Sequence, residues 1–322
     1  MEYTNLPGTS LKISRVCLGT MLFGGQTSEA DSLKIMDYAF EQGINHFDTA
    51  NIYLQGEGEK IVGKALKGRR NSIILASKVC NQMGENPNDA GLSRRHILSA
   101  VEASLKRLDT DYIDLYYQHA PDNETALEET LDAMSGLVRS GKIRYYGVSN
   151  YPAWQIADML AVCDKRGFLP PIVTQNVYNL LTRGIEDELA PFLKAHGMGM
   201  IVYNPIAGGM LAGKHKPGTP AENTRFWKNK MYLDRYWMDE NFKAVETLAK
   251  IASDHGMSLL RLAMKWCLQQ ECVTSVLSGV SRLEQLQQNI DSVSGAPLGQ
   301  EVLSKCDEVW RGLVGNRFNY IR

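Results

Sequence analysis

The stretch "RVCLGTMLFGG", residues 15–25, decides between two architectures. Its first half is an apolar, partly β-branched run of strand length. In a doubly wound open sheet the first strand runs into a phosphate loop of the form G-x-G-x-x-G. Here the glycines stand at 19, 24 and 25, which does not give that spacing. The later "GEGEKIVG" (56–63) has its third glycine at 63 instead of 61. It follows a loop rather than a strand, so it reads as a turn entering a helix.

Working outward, the same kind of run recurs. Strand candidates are 15–20, 46–49, 72–79, 112–119, 143–149, 172–178, 198–204 and 273–279, which makes eight. Between them lie longer stretches with helical spacing, such as "SEADSLKIMDYAFEQG" (28–43), "SRRHILSAVEASLKRLD" (93–109), "TALEETLDAMSGLVRSGK" (125–142) and "NFKAVETLAKIASDHG" (241–256). Several open at Ser, Thr or Asn and end near Gly, as helix termini prefer. Eight strand–helix units in one chain of this length predict an α/β fold of the (β/α)8 TIM-barrel type, a single domain over 1–322. Residues 1–14 read as a hairpin turning at "LPGTS" that plugs the N-terminal mouth of the barrel. The segment 207–240, after the seventh strand, is much longer than an ordinary connection. It is rich in aromatic and basic residues and is expected to overhang the C-terminal face as a lid.

Composition excludes several classes. The chain has 322 residues, 44% hydrophobic and 22% charged, with a net charge of −1. That balance offers no long-range attraction for nucleic acid or an anionic membrane surface. No apolar run approaches the roughly 20 residues needed to cross a bilayer. The N-terminus lacks a charged-then-apolar leader pattern. The six cysteines, at 17, 80, 163, 267, 272 and 306, form no C-x-x-C pair. They read as reduced thiols without a metal, in a cytoplasmic protein that is a monomer by default, with a homo-oligomer as the alternative.

In a barrel, functional side chains gather at the C-terminal ends of the strands. Those ends carry Gly19 and Thr20; Asp48 and, just beyond, Tyr53; Lys78; His119; Ser149 and Asn150; Gln175; Tyr203 and Asn204; Gly279 and Ser281. Taken singly, Asp48 reads as a turn cap, Tyr53 as a packing ring, and Lys78 and His119 as polar strand exits. Together they form a proton-donating set. A phenol, with a reference pKa of about 10, is a poor acid near neutrality. A nearby ammonium favours the phenolate, a carboxylate holds that ammonium charged, and an imidazole can hydrogen-bond a carbonyl or relay a proton. Such a set protonates a developing alkoxide but supplies no electron pair, so a hydride must come from a cofactor.

At this point the chain resembles the aldo-keto reductases over nearly its whole length. "LGTMLFGG", "GINHFDTANIYLQGEGEKIVGKAL", "LASKV", "DLYYQHAPD", "GKIRYYGVSNY", "TQNVYNLLTR", "IVYNPIAGGMLAGK" and "SGVSRLEQLQQN" follow in the family's order. The resemblance implies a catalytic tetrad of Asp48, Tyr53, Lys78 and His119, with Tyr53 the general acid in reduction. It implies NADPH as cofactor, with NADH as the alternative, and a small-molecule carbonyl substrate. Ser149, Asn150 and Gln175 would hold the carboxamide, and Tyr203 would stack on the nicotinamide. Gly19, Thr20 and Met21 would meet the ribose. Asn204 would be a further cofactor contact, and the run Pro205 to Leu211, with Ile206, Gly208 and Gly209 inside it, would wrap the pyrophosphate together with Gly213 and Lys214. Gly279, Ser281, Arg282 and Gln285 would line the adenosine phosphate, with Gln288 and Asn289 at the adenine. Arg282 is the expected partner of a 2′-phosphate, since a guanidinium pairs bidentately with phosphate.

The chain departs from the family pattern in places. Ser278 stands where some members carry lysine, which weakens the preference for NADPH. Gln288 stands where Glu is common, and Leu54 where Gly is frequent. "QHAPD" resembles the aldehyde- and sugar-processing branches more than the steroid branch. Specificity is expected from Met21, Phe23, Tyr53, Gln82, residues 120–124, residues 215–240 and the tail "WRGLVGNRFNYIR" (310–322). The competing reading is a cofactor-binding channel β subunit with little turnover. "AGLSRRHILSAVEASLKRL" (90–108) resembles a helix of those subunits, but they lose the histidine that stands here as His119.

Overall fold

The computed structural model describes residues 1–222 and 224–315. Two short antiparallel strands come first, β1 (Tyr3–Asn5) and β2 (Lys12–Ser14). The barrel follows as β3 (Val16–Gly19), α1 (Glu29–Glu41), β4 (His46–Asp48), α2 (Glu57–Leu66), β5 (Ile74–Val79), α3 (Arg94–Leu108), β6 (Ile113–Gln118), α4 (Leu127–Arg139), β7 (Ile143–Ser149), α5 (Ala153–Arg166), β8 (Val173–Val177), α6 (Leu189–Ala195) and β9 (Gly199–Tyr203). Then come α7 (Lys230–Tyr236), α8 (Asp239–Asp254), α9 (Leu259–Gln269), β10 (Val273–Gly279), α10 (Leu283–Val293) and α11 (Gln300–Val314). Strands β3 to β10 close a barrel of parallel neighbours, with β10 hydrogen-bonded to β3. All eight expected strands are present, each within two residues of its predicted ends.

Most strand residues are buried, because the lumen and the helices cover the two faces of the barrel wall. All six residues of β5 and all six of β6 are buried. Alternate side chains go opposite ways. Leu75, Tyr116, Val148 and Val202 pack under the helices. Ile74, Ala76, Leu115, Tyr117, Val173 and Ile201 fill the lumen, where Leu6 and Ile13 of the hairpin join them. The hairpin therefore plugs the barrel as expected. Its seat demands a glycine at the start of β9: a Cβ on Gly199 would lie 2.5 Å from Pro7 Cγ and 2.3 Å from Thr274 Oγ1.

Serine caps behave as the sequence suggests. The side chains of Ser28, Ser93 and Ser258 accept from Asp31 N, His96 N and Arg261 N. Thr125 and Asn241 do not cap: Thr125 Oγ1 donates to Asp122, and Asn241 Nδ2 to Tyr236 O. Those helices begin at Leu127 and Asp239. The long segment after β9 is more ordered than a loop. It contains a short 3-10 turn (Ala207–Ala212), α7 and an aromatic cluster. Phe226, fully buried, lies 4.8 Å from the Trp237 ring and 4.9 Å from the His215 ring. Of the expected tail, residues 316–322 lie outside the described residues, and Trp310 to Val314 belong to α11. All six cysteines are free thiols. Among the described residues, no helix is long and apolar enough to cross a membrane.

His46 sits inside the barrel on β4, fully buried, with neither ring nitrogen hydrogen-bonded to protein. Burial pushes its pKa down to about 4; Lys78 adds to the fall and Asp48 opposes it. An unfolded chain has His near 6.5, so between those values the unfolded state binds more protons. Stability contributed by neutral His46 is full above about pH 6.5 and is lost as pH falls toward about 4, by up to about 3 kcal/mol. Urea midpoints should fall through that window, and less steeply in His46→Gln. Identical slopes in the two proteins would remove His46 as a cause.

Candidate active site

β4 ends at Asp48, and the chain turns through Thr49–Ile52 so that Tyr53 returns over the barrel mouth. The next strand, β5, carries Lys78 one residue before its end, and His119 follows β6. Parallel registry makes Asp48 pair with Ala76 and Lys78 with Tyr117. Side chains of three successive strand exits are thereby brought together.

The Lys78 ammonium is completely buried, and each of its three N–H groups has a partner. It donates to Asp48 Oδ1, to Thr49 O at 2.7 Å and to Tyr53 OH at 3.4 Å. The second Asp48 oxygen accepts from Gln175 Nε2 at 2.8 Å. Burial works against the Lys78 charge, but Asp48 and Tyr53 outweigh it and hold its pKa above the ordinary lysine value. Tyr53 departs from the simplest expectation. Lys78 and Arg225 pull its pKa down, but burial pushes harder, with Asp48, and the net direction is upward. The phenol stays protonated at neutral pH.

His119 is pushed down to about 3, by burial first and then by the Lys78 charge, so it is neutral. Its Nδ1 lies 3.0 Å from Asn81 Nδ2. With that amide donating, Nε2 carries the ring hydrogen and is left as a hydrogen-bond donor. The Tyr53 and His119 rings are 6.1 Å apart, edge to face.

A pocket of about 700 Å³ runs from these side chains along the C-terminal ends of β7 to β10. Asp48, Tyr53 and His119 line it, whereas Lys78 lies beneath and reaches it through them. Of the other expected contacts, Gly19, Thr20, Met21, Ser149, Asn150, Gln175, Tyr203, Asn204, Pro205, Ile206, Gly208, Gly209, Lys214, Gly279, Ser281, Arg282, Gln285, Gln288 and Asn289 line the pocket. Leu211 and Gly213 do not. The 3-10 turn buries Leu211 in the core and leaves Gly213 at its C-cap, φ +72°. Gln285 Oε1 is engaged in accepting from the backbone N–H of Ser281 and Arg282, which fixes the start of α10. Among the expected specificity positions, Phe23 is fully buried in the core, and Gln82 donates to Gly84 O and Asn86 O away from the pocket.

The polar wall is internally tied. Ser149 Oγ donates to Gln175 O at 2.9 Å, Asn150 Nδ2 to His119 O at 3.0 Å, and Tyr203 OH to Asn150 Oδ1 at 2.7 Å. Asn150 and Asn204 both adopt left-handed backbone, φ +65° and +58°, which asparagine tolerates better than most residues. Asn204 Nδ2 is buried without a partner on this wall.

Within residues 215–240, expected to set specificity, Thr224, Arg225, Tyr232 and Arg235 line the pocket, residues the sequence did not single out as contacts. Arg225 stacks over Tyr232 at 4.9 Å and donates to Met21 Sδ at 3.5 Å, bridging the segment after β9 to the loop after β3. The available signal was the basic residues interleaved with aromatics in 207–240; which of them face inward depends on how that segment folds.

The chain matches the Aldo/keto reductase family over residues 15–311 and belongs to it. Similar proteins include "Probable voltage-gated potassium channel subunit beta" of Arabidopsis thaliana, 36% identical with 96% of each chain covered. The protein of the same name from Oryza sativa subsp. japonica is 35% identical over 96% of each. "Uncharacterized oxidoreductase YrpG" of Bacillus subtilis (strain 168) is 36% identical over 98% of each. The family match and the Bacillus relative support an oxidoreductase of the aldo-keto reductase type.

Removing Lys78 leaves Asp48 charged, 1% exposed and held only by Gln175. Lys78→Met should therefore lose about 3–5 kcal/mol of unfolding free energy. Lys78→Met/Asp48→Asn should recover much of that loss. Urea denaturation of both variants measures it, and an unaltered midpoint in Lys78→Met would mean that the pair carries no such weight.

Proposed function

We propose that the chain catalyses reversible hydride transfer between NADPH and a small aldehyde or ketone, acting as one (β/α)8 domain, with Tyr53 as general acid in reduction. The observation that carries the reading is the fully buried Lys78 ammonium shared among Asp48, Thr49 O and the Tyr53 hydroxyl. It lies directly under a pocket large enough for a dinucleotide and a small substrate.

The residues present fit such a cofactor. Ser149, Asn150 and Gln175 offer polar groups for a carboxamide, Tyr203 offers a ring face, and Gly208 and Gly209 bring bare backbone to the pocket wall. Lys214, Arg225 and Arg282 supply positive charge along it. A reduced nicotinamide held there would supply the hydride for the carbonyl carbon. His119 Nε2–H orients the carbonyl oxygen. As negative charge develops on that oxygen, the Tyr53 O–H gives up its proton and an alcohol forms. The phenolate left behind is stabilised by Lys78, whose charge Asp48 maintains, and solvent returns the proton. Because burial holds the phenol protonated, the charge of Lys78 matters most after transfer has begun. In alcohol oxidation Tyr53 acts as the base.

The names of the plant relatives support a second reading, a channel-associated subunit; on that reading this chain would bind cofactor with little turnover. His119 within the proton-donating set favours the enzyme. Co-purification with a membrane partner, together with no turnover on a broad carbonyl panel, would reverse that preference.

Tyr53→Phe should lower kcat for reduction of an aromatic aldehyde by about 10³-fold or more and leave cofactor affinity within about two-fold. Loss of NADPH absorbance measures turnover, and a variant that turns over like wild type would defeat the acid assignment. Arg282→Leu should raise the KM for NADPH about ten-fold or more while leaving that for NADH nearly unchanged. Equal effects on both cofactors would remove Arg282 as the 2′-phosphate partner.

A further inference from the structure

A second cavity, distinct from the redox pocket, opens between α4 and α5 at the C-terminal ends of β6 and β7. Its volume is about 200 Å³. Leu92, Leu127 and Met159 form an apolar wall, and Gln118, Gln155 and Trp154 bring in polar and aromatic surface.

Two amides in this cavity are left half-used. Gln118 is fully buried. The Tyr151 hydroxyl, with one hydrogen, lies 2.9 Å from its Oε1 and 3.2 Å from Ala120 O, and its Nε2 has no protein partner. Gln155 donates from Nε2 to Asn123 Oδ1 at 3.4 Å, and its Oε1 is shielded from solvent without a donor. Buried side-chain polar atoms without partners are uncommon, and here two residues that each carry one line the same cavity.

The surroundings narrow what would satisfy them. A primary or secondary amide offers one acceptor and at least one donor, the complement of this pair. Trp154, 58% exposed, gives an aromatic face at the mouth. Asp158 stands on the rim with no hydrogen bond or ion pair among the described residues, which disfavours an anion. Asp122 does not compete for a ligand's donors, because its oxygens already accept from Leu92 N, Glu124 N and Thr125. The volume lies below the roughly 300–1,000 Å³ of drug-sized sites, so a single ring is the size that fits.

We propose that this cavity is a second ligand site, for a small uncharged aromatic amide whose carbonyl accepts from Gln118 Nε2 and whose N–H donates to Gln155 Oε1, with its ring against Trp154. The floor of the cavity is continuous with the redox wall: Gln118 precedes His119, and Tyr151 follows Asn150. The proposal does not depend on the redox reading.

Benzamide is the probe, titrated into the full chain by calorimetry and saturation-transfer NMR, with benzoate as the matched anion. Saturable binding near about 1 mM is expected for a ligand of this size. Trp154→Ala and Gln155→Ala, both checked for native circular dichroism, should each weaken it about five-fold or more, and benzoate should bind about ten-fold more weakly or worse. Neither residue lines the redox pocket. Undiminished binding in both variants would therefore assign benzamide to the carboxamide region there and overturn the proposal. So would no saturable binding up to about 20 mM, equal affinity for benzoate, or a benzamide-soaked crystal holding only ordered water against Gln118.

Discussion

A lysine ammonium with no solvent exposure exists only if every one of its hydrogens and its charge are met inside the protein. Lys78 meets that condition through Asp48, Thr49 O and Tyr53 OH, and the rest of the barrel mouth is arranged around it. The Asp48 carboxylate must lie close, so β4 and β5 must be neighbours in register. Gln175, from the far side of the mouth, must take the second carboxylate oxygen. The loop after β4 must fold back, so that Tyr53 completes the ammonium's set. The same contacts that let the charge survive burial are those proposed to stabilise a phenolate.

The neighbouring strand holds this arrangement in place. Ser77, one residue before Lys78, donates to Glu59 Oε1 at 2.5 Å, and Arg107 Nε reaches Glu59 Oε2 at 2.7 Å. Glu59 is fully buried, so α2 and α3 are pinned to β5 beside the site by a second ion pair. Leu6 and Ile13 fill the opposite end of the lumen. With that end closed, the open C-terminal mouth is where polar side chains can face a ligand.

Much of this was legible in the sequence for identifiable reasons. Strands covered on both faces leave short runs rich in apolar and β-branched residues, and all eight were visible as such. Asp48, Tyr53, Lys78 and His119 were visible because a carboxylate, a phenol, an amine and an imidazole at successive strand exits make a chemically coherent set. Helix starts were legible where serine caps them, and misread at Thr125 and Asn241, whose side chains are engaged by Asp122 and Tyr236. Phe23 and Leu211 were read as pocket residues because they sit in pocket-lining stretches. Which way a side chain points within an irregular stretch follows from backbone turns that no periodicity reports.

By itself the sequence determined the closed barrel, its plug and the chemical identity of the four side chains at its mouth, because hydrophobic period and residue type are local properties. Tertiary structure decided their electrostatic state. Burial outweighs Lys78 at Tyr53 and keeps the phenol protonated, and burial with Lys78 keeps His119 neutral. It also decided that Arg225 faces the redox pocket, and that Gln118 and Gln155, each with a polar atom left without a partner, line a cavity of their own. Those outcomes depend on desolvation and on neighbours distant in sequence, which only the packed chain supplies.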